Sequence, residues 1–464
     1  MSFLSAVFWG LLVLSVLVFI HEGGHYLAAR AFGVRVTEFM LGLPCRWNLS
    51  FKSRRVGTRI GVTPLLLGGY NRICGMEPVG DAPLADVLAC VQEHGRISIE
   101  DLAAELGIDD DDALNALVTL SDWASIEPYY DPELGEKPEQ KTWPKSFQTL
   151  ARDANMLTEF DRGHDFSLEG STRAGEPRAI TGDPEQLLNN ERSHTYLGKG
   201  FLKRFAMLVA GPLINVLFAF VVVVLAYSIV GMDVSSNEAR IGSIEDGSLA
   251  QESGLQTDDL ILSVADENMD PGSIVQVTDW SSMTDALHVY LSSGENFILN
   301  VRRGDEQIQV AVNQGEEPHD LLGINATTVR WRPDVLTSSR LAIRYGKFVA
   351  DYVGQLLVPQ KTMEVLNQSS SVVGISVMAS EAASSGFLDL LLLAASISMS
   401  LGFMNLLPIP PLDGGKILIE VIQLLIRRPL SLKAQNAVSY VGLAFFLFIF
   451  IVVVKNDIFR FMIG

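Results

Sequence analysis

The feature that most constrains this chain is a set of four long apolar runs, at residues 3–20, 205–230, 388–407 and 438–454. An α-helix needs about 20 residues to cross a hydrocarbon layer about 30 Å thick, so each run is long enough to span a membrane. A buried helix of a soluble protein is the alternative for any single run, but four runs in one chain favour a polytopic membrane protein. The first run lacks a basic start and a small-residue cleavage site, and we interpret it as a retained helix rather than a signal peptide.

Basic residues near the ends of these runs predict the orientation of the chain. Lys and Arg near span ends favour the cytoplasmic side. They follow the first run, precede the second and lie between the third and fourth, at Arg30, Arg35, Arg46, Lys52, Arg54, Arg55, Arg59, Arg72, Lys199, Lys203, Arg204, Lys416, Arg427, Arg428 and Lys433. We therefore expect both termini and residues 231–386 to be extracytoplasmic.

The strongest local motif is His21-Glu22-Gly23-Gly24-His25, directly after the first run. Residues four apart lie on one face of a helix, so the two imidazoles can bind one metal ion. This pair suits two corners of a tetrahedral zinc site, and Glu22 can reach a water molecule at the metal and take its proton. Ionisable groups at the end of an apolar span are costly unless they are paired or bind a metal, which favours a functional site over a chance match.

A zinc site with an open position needs a third protein ligand. Residues 405–415 follow the third run with Asn405, three prolines, and then Asp413 before two glycines. Irregular backbone at membrane depth is tolerated where it lines a cavity or is packed within protein. Asp413 is therefore the predicted third ligand, and the alternative is a solvated carboxylate at a helix end.

Residues 238–325 alternate strand-like and helix-like segments and form one predicted β-rich α+β domain. The segments around Gly247-Ser248-Leu249-Ala250 and Asp258-Asp259-Leu260 resemble the strand-helix-strand core of a PDZ domain. Such a domain binds an extended peptide at a sheet edge. A peptide ligand is thus one expected partner.

Residues 76–195 are strongly acidic, with 26 acidic and 9 basic residues in a chain of net charge −19. Helical spacing in residues 82–130, with a short hairpin at 123–130, resembles a winged helix-turn-helix α+β domain. Its third helix opens with Asp109 to Asp112, which would repel the phosphates of DNA. We therefore expect a cytoplasmic protein partner and no nucleic acid, and composition predicts partial disorder in residues 131–195.

The three cysteines, Cys45, Cys74 and Cys90, all precede the second run, in the segment assigned to the reducing cytoplasm. Their number is odd and no Cys-x-x-Cys occurs, so the sequence indicates neither a disulfide framework nor a zinc site built from cysteines.

Taken together, the two zinc motifs, the apolar runs and the PDZ-like domain resemble the site-2 protease family of intramembrane metalloproteases, in particular the bacterial branch that cleaves anti-sigma factors. Gly68-Gly69-Tyr70 resembles the family's membrane-associated β-loop, and Ala210-Gly211-Pro212 with Asn215 resembles its second-span motif. The acidic insert is outside this resemblance.

The resemblance implies one Zn²⁺ held by His21, His25 and Asp413, with Glu22 as the general base. It also implies that Asn215, Asn405, Gly68 and Gly69 lie near the substrate. The expected substrates are single-span membrane proteins, either anti-sigma factors or signal-peptide remnants, cleaved within the bilayer of a bacterial cell membrane with the site toward the cytoplasm.

The predicted fold is therefore a membrane α-helical protein with four transmembrane helices, a β-loop and two inserted domains. The predicted segments are the first helix at 1–30, the β-loop at 31–75, the insert at 76–195, the second helix at 196–232, the PDZ-like domain at 238–325, an amphipathic segment at 326–386, the third helix at 387–415, and the fourth helix with its flanks at 416–464.

Two other functions remain open at this point. One is a non-catalytic membrane receptor or scaffold, which a degraded metal motif would favour. The other is a zinc transporter or metal sensor, which a larger histidine cluster would favour. Metal analysis and a vesicle transport assay distinguish them from a protease.

Overall fold

The computed structural model of the protein describes residues 3–66, 68–77, 82–138, 140–180, 182–315, 321–428 and 430–459. The chain divides into two compact units, Met1–Val223 with Leu341–Gly464, and Val224–Arg340.

The first unit begins with a long helix that is followed by a small sheet. The helix is α1 (Phe3–Ala31), and the strands are β1 (Val36–Leu41), β2 (Leu49–Lys52), β3 (Arg59–Val62) and β4 (Gly69–Ile73). The strand order is β2-β3-β1-β4, with β1 parallel to β3 and antiparallel to β4. Both β1 and β4 pack on α1, which brings the sheet beside the histidine motif.

The acidic insert folds into helices around a three-stranded sheet. Its elements are α2 (Leu84–His94), β5 (Arg96–Ser98), α3 (Ile99–Leu106), α4 (Asp110–Asp122), β6 (Ile126–Tyr129), β7 (Ser146–Thr149) and α5 (Pro184–Ser193). Ser98 caps α3 by accepting a hydrogen bond from the Asp101 amide at 3.0 Å. Val87, Leu117 and Phe147 are fully buried and form part of one apolar core.

One expectation for the insert differs from the structure. The hairpin expected at 123–130 is absent because β6 pairs instead with β7, which also pairs with β5. Residues 131–195 contain β7 and α5 within their described part, and the partial disorder that composition predicts for the rest of this segment stays a prediction. The charges that suggested disorder include Arg152 and Glu191, which are fully buried and paired with each other.

The second apolar run forms α6 (Phe201–Leu225), which contains Pro212 and continues through one wider turn at Ala226–Val230. Proline removes one backbone donor from a helix, but neighbouring helices allow it within a membrane.

The second unit is rich in strands. Its elements are β8 (Met232–Ser235), β9 (Ile241–Ile244), α7 (Leu249–Glu252), β10 (Leu260–Asp266), β11 (Val275–Gln276), α8 (Trp280–Ser293), β12 (Phe297–Arg303), β13 (Glu306–Val312), β14 (Ile324–Ala326) and β15 (Thr328–Trp331). A four-stranded sheet has the order β11-β10-β12-β13, and two strand pairs, β14-β9 and β15-β8, complete the unit. The buried Asp259 accepts two hydrogen bonds from Arg303, at 2.8 and 2.7 Å.

Three helices follow the last strand of the second unit: α9 (Val335–Gly354), α10 (Pro359–Gln368) and α11 (Val372–Ser385). Helix α11 packs against α1, and its Ala379 is buried with Val13 and Leu17. The carboxylate of Asp457, from the last helix, accepts hydrogen bonds from the Ser371 and Gly374 amides. This contact satisfies free donors at the start of α11.

The chain ends with α12 (Phe387–Asn405), α13 (Asp413–Ile426) and α14 (Leu432–Ile458). Within the described residues, four helices are long and apolar enough to cross a membrane: Phe3–Ala31, Phe201–Val230, Phe387–Asn405 and Lys433–Ile458. These helices contain the four apolar runs of the sequence, except that the third helix ends at Asn405, two residues before the third run does.

Candidate metal centre

Three potential metal ligands converge from distant parts of the chain. Asp413 Oδ2 lies 3.0 Å from His21 Nε2 and 3.1 Å from His25 Nε2, and the two Nε2 atoms are 3.2 Å apart. Both histidines are buried, at 7% exposure. Nearly 400 residues separate Asp413 from the pair along the chain, so the fold rather than local sequence brings them together.

These distances fit a tetrahedral zinc ion. Nitrogen and oxygen ligands about 2.0–2.1 Å from zinc lie about 3.3–3.4 Å from one another when the angle between them is tetrahedral. Three such ligands leave the fourth position for water or substrate, which is the arrangement of catalytic rather than structural zinc sites.

The second ring nitrogen of His25 fixes the orientation of the imidazole. Its Nδ1 lies 2.7 Å from the carbonyl oxygen of Met207 in α6. A carbonyl only accepts, so Nδ1 carries the proton and Nε2 presents a lone pair toward Asp413. Helix α6 approaches closely here: a Cβ on Gly211 would lie 2.2 Å from His25 Nε2.

The amide of Asn215 occupies the corresponding position beside His21. Its Nδ2 is 3.4 Å from His21 Nδ1, while its Oδ1 is buried and has no hydrogen-bond partner among the described residues. The two ends of an amide are assigned from the hydrogen-bond network, and rotating this one by 180° lets Oδ1 accept from Nδ1–H. His21 Nε2 is then free to bind a metal, as His25 Nε2 is.

Glu22 is held by a residue that sequence reasoning missed. Asn71, on β4, donates from Nδ2 to the Glu22 carboxylate at 2.5 Å and to the Glu22 carbonyl at 3.1 Å. The only sequence signal is its position, two residues after Gly69 in the β-loop motif, and a strand does not reveal which helix it will contact.

Asp413 is the first residue of α13, where free backbone amides and the helix dipole favour a carboxylate. The turn before it is tight. A Cβ on Gly414 would lie 2.2 Å from the carbonyl oxygen of Leu407, so the packing requires glycine at this position.

A cleft opens onto these side chains. It is lined by Glu22, His25, Tyr70, Asn71, Ile73, Met76, Tyr196, Met207, Leu208, Asp413 and Lys416. Met76, the first residue of the acidic insert, and Tyr196, the residue directly after it, therefore contribute to the wall of the cleft. Tyr196 also donates to Glu420 of α13 at 3.2 Å.

The other predicted site residues lie at different distances from this cleft. Gly69 begins β4 on the Glu22 side of the sheet, and a Cβ there would lie 3.7 Å from Glu22 Cγ. Gly68 precedes it and accepts a hydrogen bond from the Gly42 amide. Asn405 is half-buried at the end of α12 and is not among the residues that line the cleft.

Comparison with known proteins identifies the family. The model of peptidase family M50 matches residues 9–449. The chain belongs to this family. The M50 peptidases are the site-2 proteases, and this chain is accordingly a zinc metalloprotease of site-2 type and a multi-pass protein of the cell membrane.

Several M50 relatives align with nearly the whole chain. The regulator of sigma-W protease RasP of Bacillus subtilis is 26% identical and covers 99% of both chains. The zinc metalloprotease RasP of Bacillus licheniformis is 27% identical over 97% of this chain and 98% of its own. A probable protease, Eep, of Enterococcus faecalis is 24% identical over 97% and 98%.

Proposed function

We propose that this M50 peptidase cleaves the transmembrane segments of single-span membrane proteins, using a zinc ion held by His21, His25 and Asp413. The observation that carries the proposal is the convergence of three ligand atoms within 3.0–3.2 Å of one another, one residue from Glu22. The described part of the chain holds one other cluster of potential metal ligands, and that cluster contains no residue of the His-Glu-x-x-His motif.

The residues around the metal have separable roles in this proposal. Zinc bound there would act as a Lewis acid and lower the pKa of a water molecule to about 7. Glu22 accepts a proton from the attacking water and then donates it to the leaving amine. Asn71 holds the Glu22 carboxylate in place, and the hydrogen bonds at both Nδ1 atoms orient the two imidazoles.

The sheet supplies a surface for an extended substrate. Strand β4 is at the edge of the order β2-β3-β1-β4, so its outer side has no strand partner among the described residues. Peptides can bind by adding a strand to such an edge. Asn71, which contacts Glu22, is itself a residue of β4. A substrate strand paired with β4 would therefore pass close to Glu22.

The name of the Bacillus subtilis relative, regulator of sigma-W protease, supports an anti-sigma factor type of substrate. Signal-peptide remnants are the second substrate class that we propose. We further propose that residues 238–325 form a PDZ-like domain that binds peptides on the extracytoplasmic side, that the acidic insert binds a cytoplasmic protein, and that the metal centre faces the cytoplasmic side of the bilayer.

The test is substitution of the proposed base in the full-length protein. We expect Glu22→Gln to reduce cleavage of a single-span substrate at least about 100-fold, because no group then accepts the water proton. Zinc content and thermal stability should stay unchanged, since Gln keeps the size of the side chain. Cleavage assays and metal analysis on the same preparation provide the measurement.

Two further variants make this test specific. Asp413→Asn should lose both zinc and cleavage, whereas the exposed Glu364→Gln in α10 should change neither. Normal cleavage by Glu22→Gln would refute its role as the base. Zinc retention at full occupancy by Asp413→Asn would refute the ligand set and reopen the receptor and transporter alternatives.

A further inference from the structure

A second cluster of potential metal ligands lies in the acidic insert, between α2 and α3. Its members are Cys90 and His94 of α2 and Glu105 of α3, and one ligand atom from each lies within 4.8 Å of the others. Cys90 Sγ is 3.7 Å from His94 Nδ1, and His94 Nε2 is 3.4 Å from Glu105 Oε2. None of the three contributes to the cleft at Glu22.

The arrangement has the chemistry and spacing of a transition-metal site. Thiolate, imidazole and carboxylate are the three ligand types that bind zinc. Cys90 and His94 are one helical turn apart, so they share a face of α2. In a tetrahedral zinc site, about 3.4 Å separates nitrogen from oxygen and about 3.6 Å separates either from sulfur. The 3.4 Å from His94 Nε2 to Glu105 Oε2 matches the nitrogen–oxygen value, and one ligand atom of each of the three residues lies within 4.8 Å of the others.

The hydrogen bonds of His94 leave a nitrogen for the metal. Nδ1 lies 3.0 Å from the carbonyl oxygen of Cys90, which can only accept. Nδ1 therefore carries the proton, and Nε2, beside Glu105, presents its lone pair. Metal-binding histidines usually make such a hydrogen bond with the ring nitrogen that does not bind the metal, as Nδ1 does here.

The surroundings of the cluster are open and lean toward negative charge. The side chains of His94 and Glu105 are 43% and 48% exposed, and Asp101 lines the same surface cleft. Arg96 is the nearby cation in that cleft, but its guanidinium donates to Gln148 and stacks on the ring of Tyr129. A cation can therefore reach His94 and Glu105 from solvent, whereas Cys90 is buried at 4% exposure and does not line the cleft.

A surface ion pair between His94 and Glu105 is the simpler interpretation of these contacts, and exposed pairs of this kind contribute little stability. That interpretation accounts for His94 and Glu105, while the helical spacing of α2 adds the thiol of Cys90 as a third potential ligand on the same face. We propose that Cys90, His94 and Glu105 form a second metal site for a divalent transition metal such as zinc. Its fourth ligand is water or Asp101, and it is separate from the centre at His21.

Cobalt provides a probe that separates the two sites. The proposed catalytic ligands include no cysteine, so a thiolate-to-Co²⁺ charge-transfer band in the full-length wild-type protein can arise only elsewhere. We expect titration with Co²⁺ to produce this band and Cys90→Ser to abolish it. His94→Ala and Glu105→Gln should each weaken Co²⁺ binding at least 10-fold at this site, since each removes one of three protein ligands.

Control variants show whether the thiolate band comes from Cys90 and whether it is independent of the catalytic centre. Cys45→Ser, which removes a cysteine outside the cluster, should keep the band. Asp413→Asn should keep it as well while losing one equivalent of zinc, so failure at the catalytic centre remains distinguishable from failure here. Substrate cleavage by Cys90→Ser shows that this variant is folded. A wild-type protein without a thiolate band, or a band that survives Cys90→Ser, would overturn the proposal.

Discussion

Asn215 is the side chain that faces the Nδ1 atom of His21 and can orient its imidazole. It is fully buried on α6, and its amide faces His21 Nδ1 at 3.4 Å. We expect Asn215→Leu to lower zinc affinity about 10- to 100-fold, the usual effect of removing a partner of a metal-binding histidine. Competition with a chelator, followed by metal analysis, measures this change.

A conservative variant distinguishes a role of Asn215 in orienting His21 from a role in helix packing. Asn215→Asp retains an oxygen that accepts from His21 Nδ1–H and should keep most of the zinc affinity. Asn405→Leu, the matched loss of an amide at the end of α12, should leave zinc affinity unchanged because, among the described residues, Asn405 makes no hydrogen bond to His21, whereas Asn215 faces its Nδ1 atom. If Asn215→Leu binds zinc as tightly as the wild type, the amide has no role in orienting the ligand.

The sequence predicted some of this site because those residues follow a local rule. The four-residue spacing of His21 and His25 requires only that the segment be helical. The partners Asn71 and Met207 obey no local rule, since their contacts depend on how β4 and α6 pack against α1. The Cys90 cluster was missed for a related reason: it uses one cysteine, and its third ligand comes from a different helix.

At the scale of elements, apolar length found the four membrane helices but not their close neighbour α11. That helix has 14 residues, too few to span a bilayer, and carries no motif, yet it packs against α1. Strand pairing was also hidden, because β5 and β6 both pair with β7, which follows β6 after a gap of 16 residues. Non-local pairing leaves no periodic signal in either strand.

The approach of α6 to α1 gives an element-scale prediction. A Cβ on Gly211 would lie 2.2 Å from His25 Nε2, closer than any carbon–nitrogen contact. We expect Gly211→Ala to displace the imidazole or separate the helices and to lose zinc and cleavage together. Metal analysis of the purified variant checks this.

The expected loss of zinc is specific to Gly211 and does not extend to every glycine near the metal centre. Gly23→Ala, in the motif itself, would bring its Cβ no nearer than 3.7 Å to Phe39, an ordinary contact. It should therefore retain zinc. If Gly211→Ala also retains zinc at wild-type affinity, the helices are not as closely packed as the structure describes.

For the whole molecule, the main question is how a strongly acidic insert is joined to the membrane part. Arg35, which follows α1, donates to Asp161 at 2.9 and 2.7 Å and to Glu191 at 2.6 Å. Glu191 also accepts from Arg152 at 2.7 Å. All four side chains are buried, so the insert is attached through paired charges that water does not screen, and not through a flexible linker alone.

Removing one member of this network should destabilise the protein strongly. Burial would raise the pKa of Glu191, but Arg152 and Arg35 outweigh it and hold that pKa well below its ordinary value of 4.5. Glu191→Gln leaves Arg152 without its carboxylate, and loss of one partner from a buried ion pair costs about 3–5 kcal/mol. We expect a lower unfolding temperature by scanning calorimetry at pH 7, and the exposed Glu185→Gln on the same helix is the control.

The pH dependence of this effect has a definite sign. A carboxylate whose pKa is lower in the folded state than in the unfolded state stabilises the fold at pH values above its ordinary pKa. That contribution shrinks as the pH falls below about 4.5 toward the folded-state pKa, because the unfolded chain then takes up the proton first. The difference in unfolding temperature between wild type and Glu191→Gln should accordingly narrow between pH 5 and pH 3. A difference that stays constant over this range would mean that Glu191 acts through packing rather than through its charge.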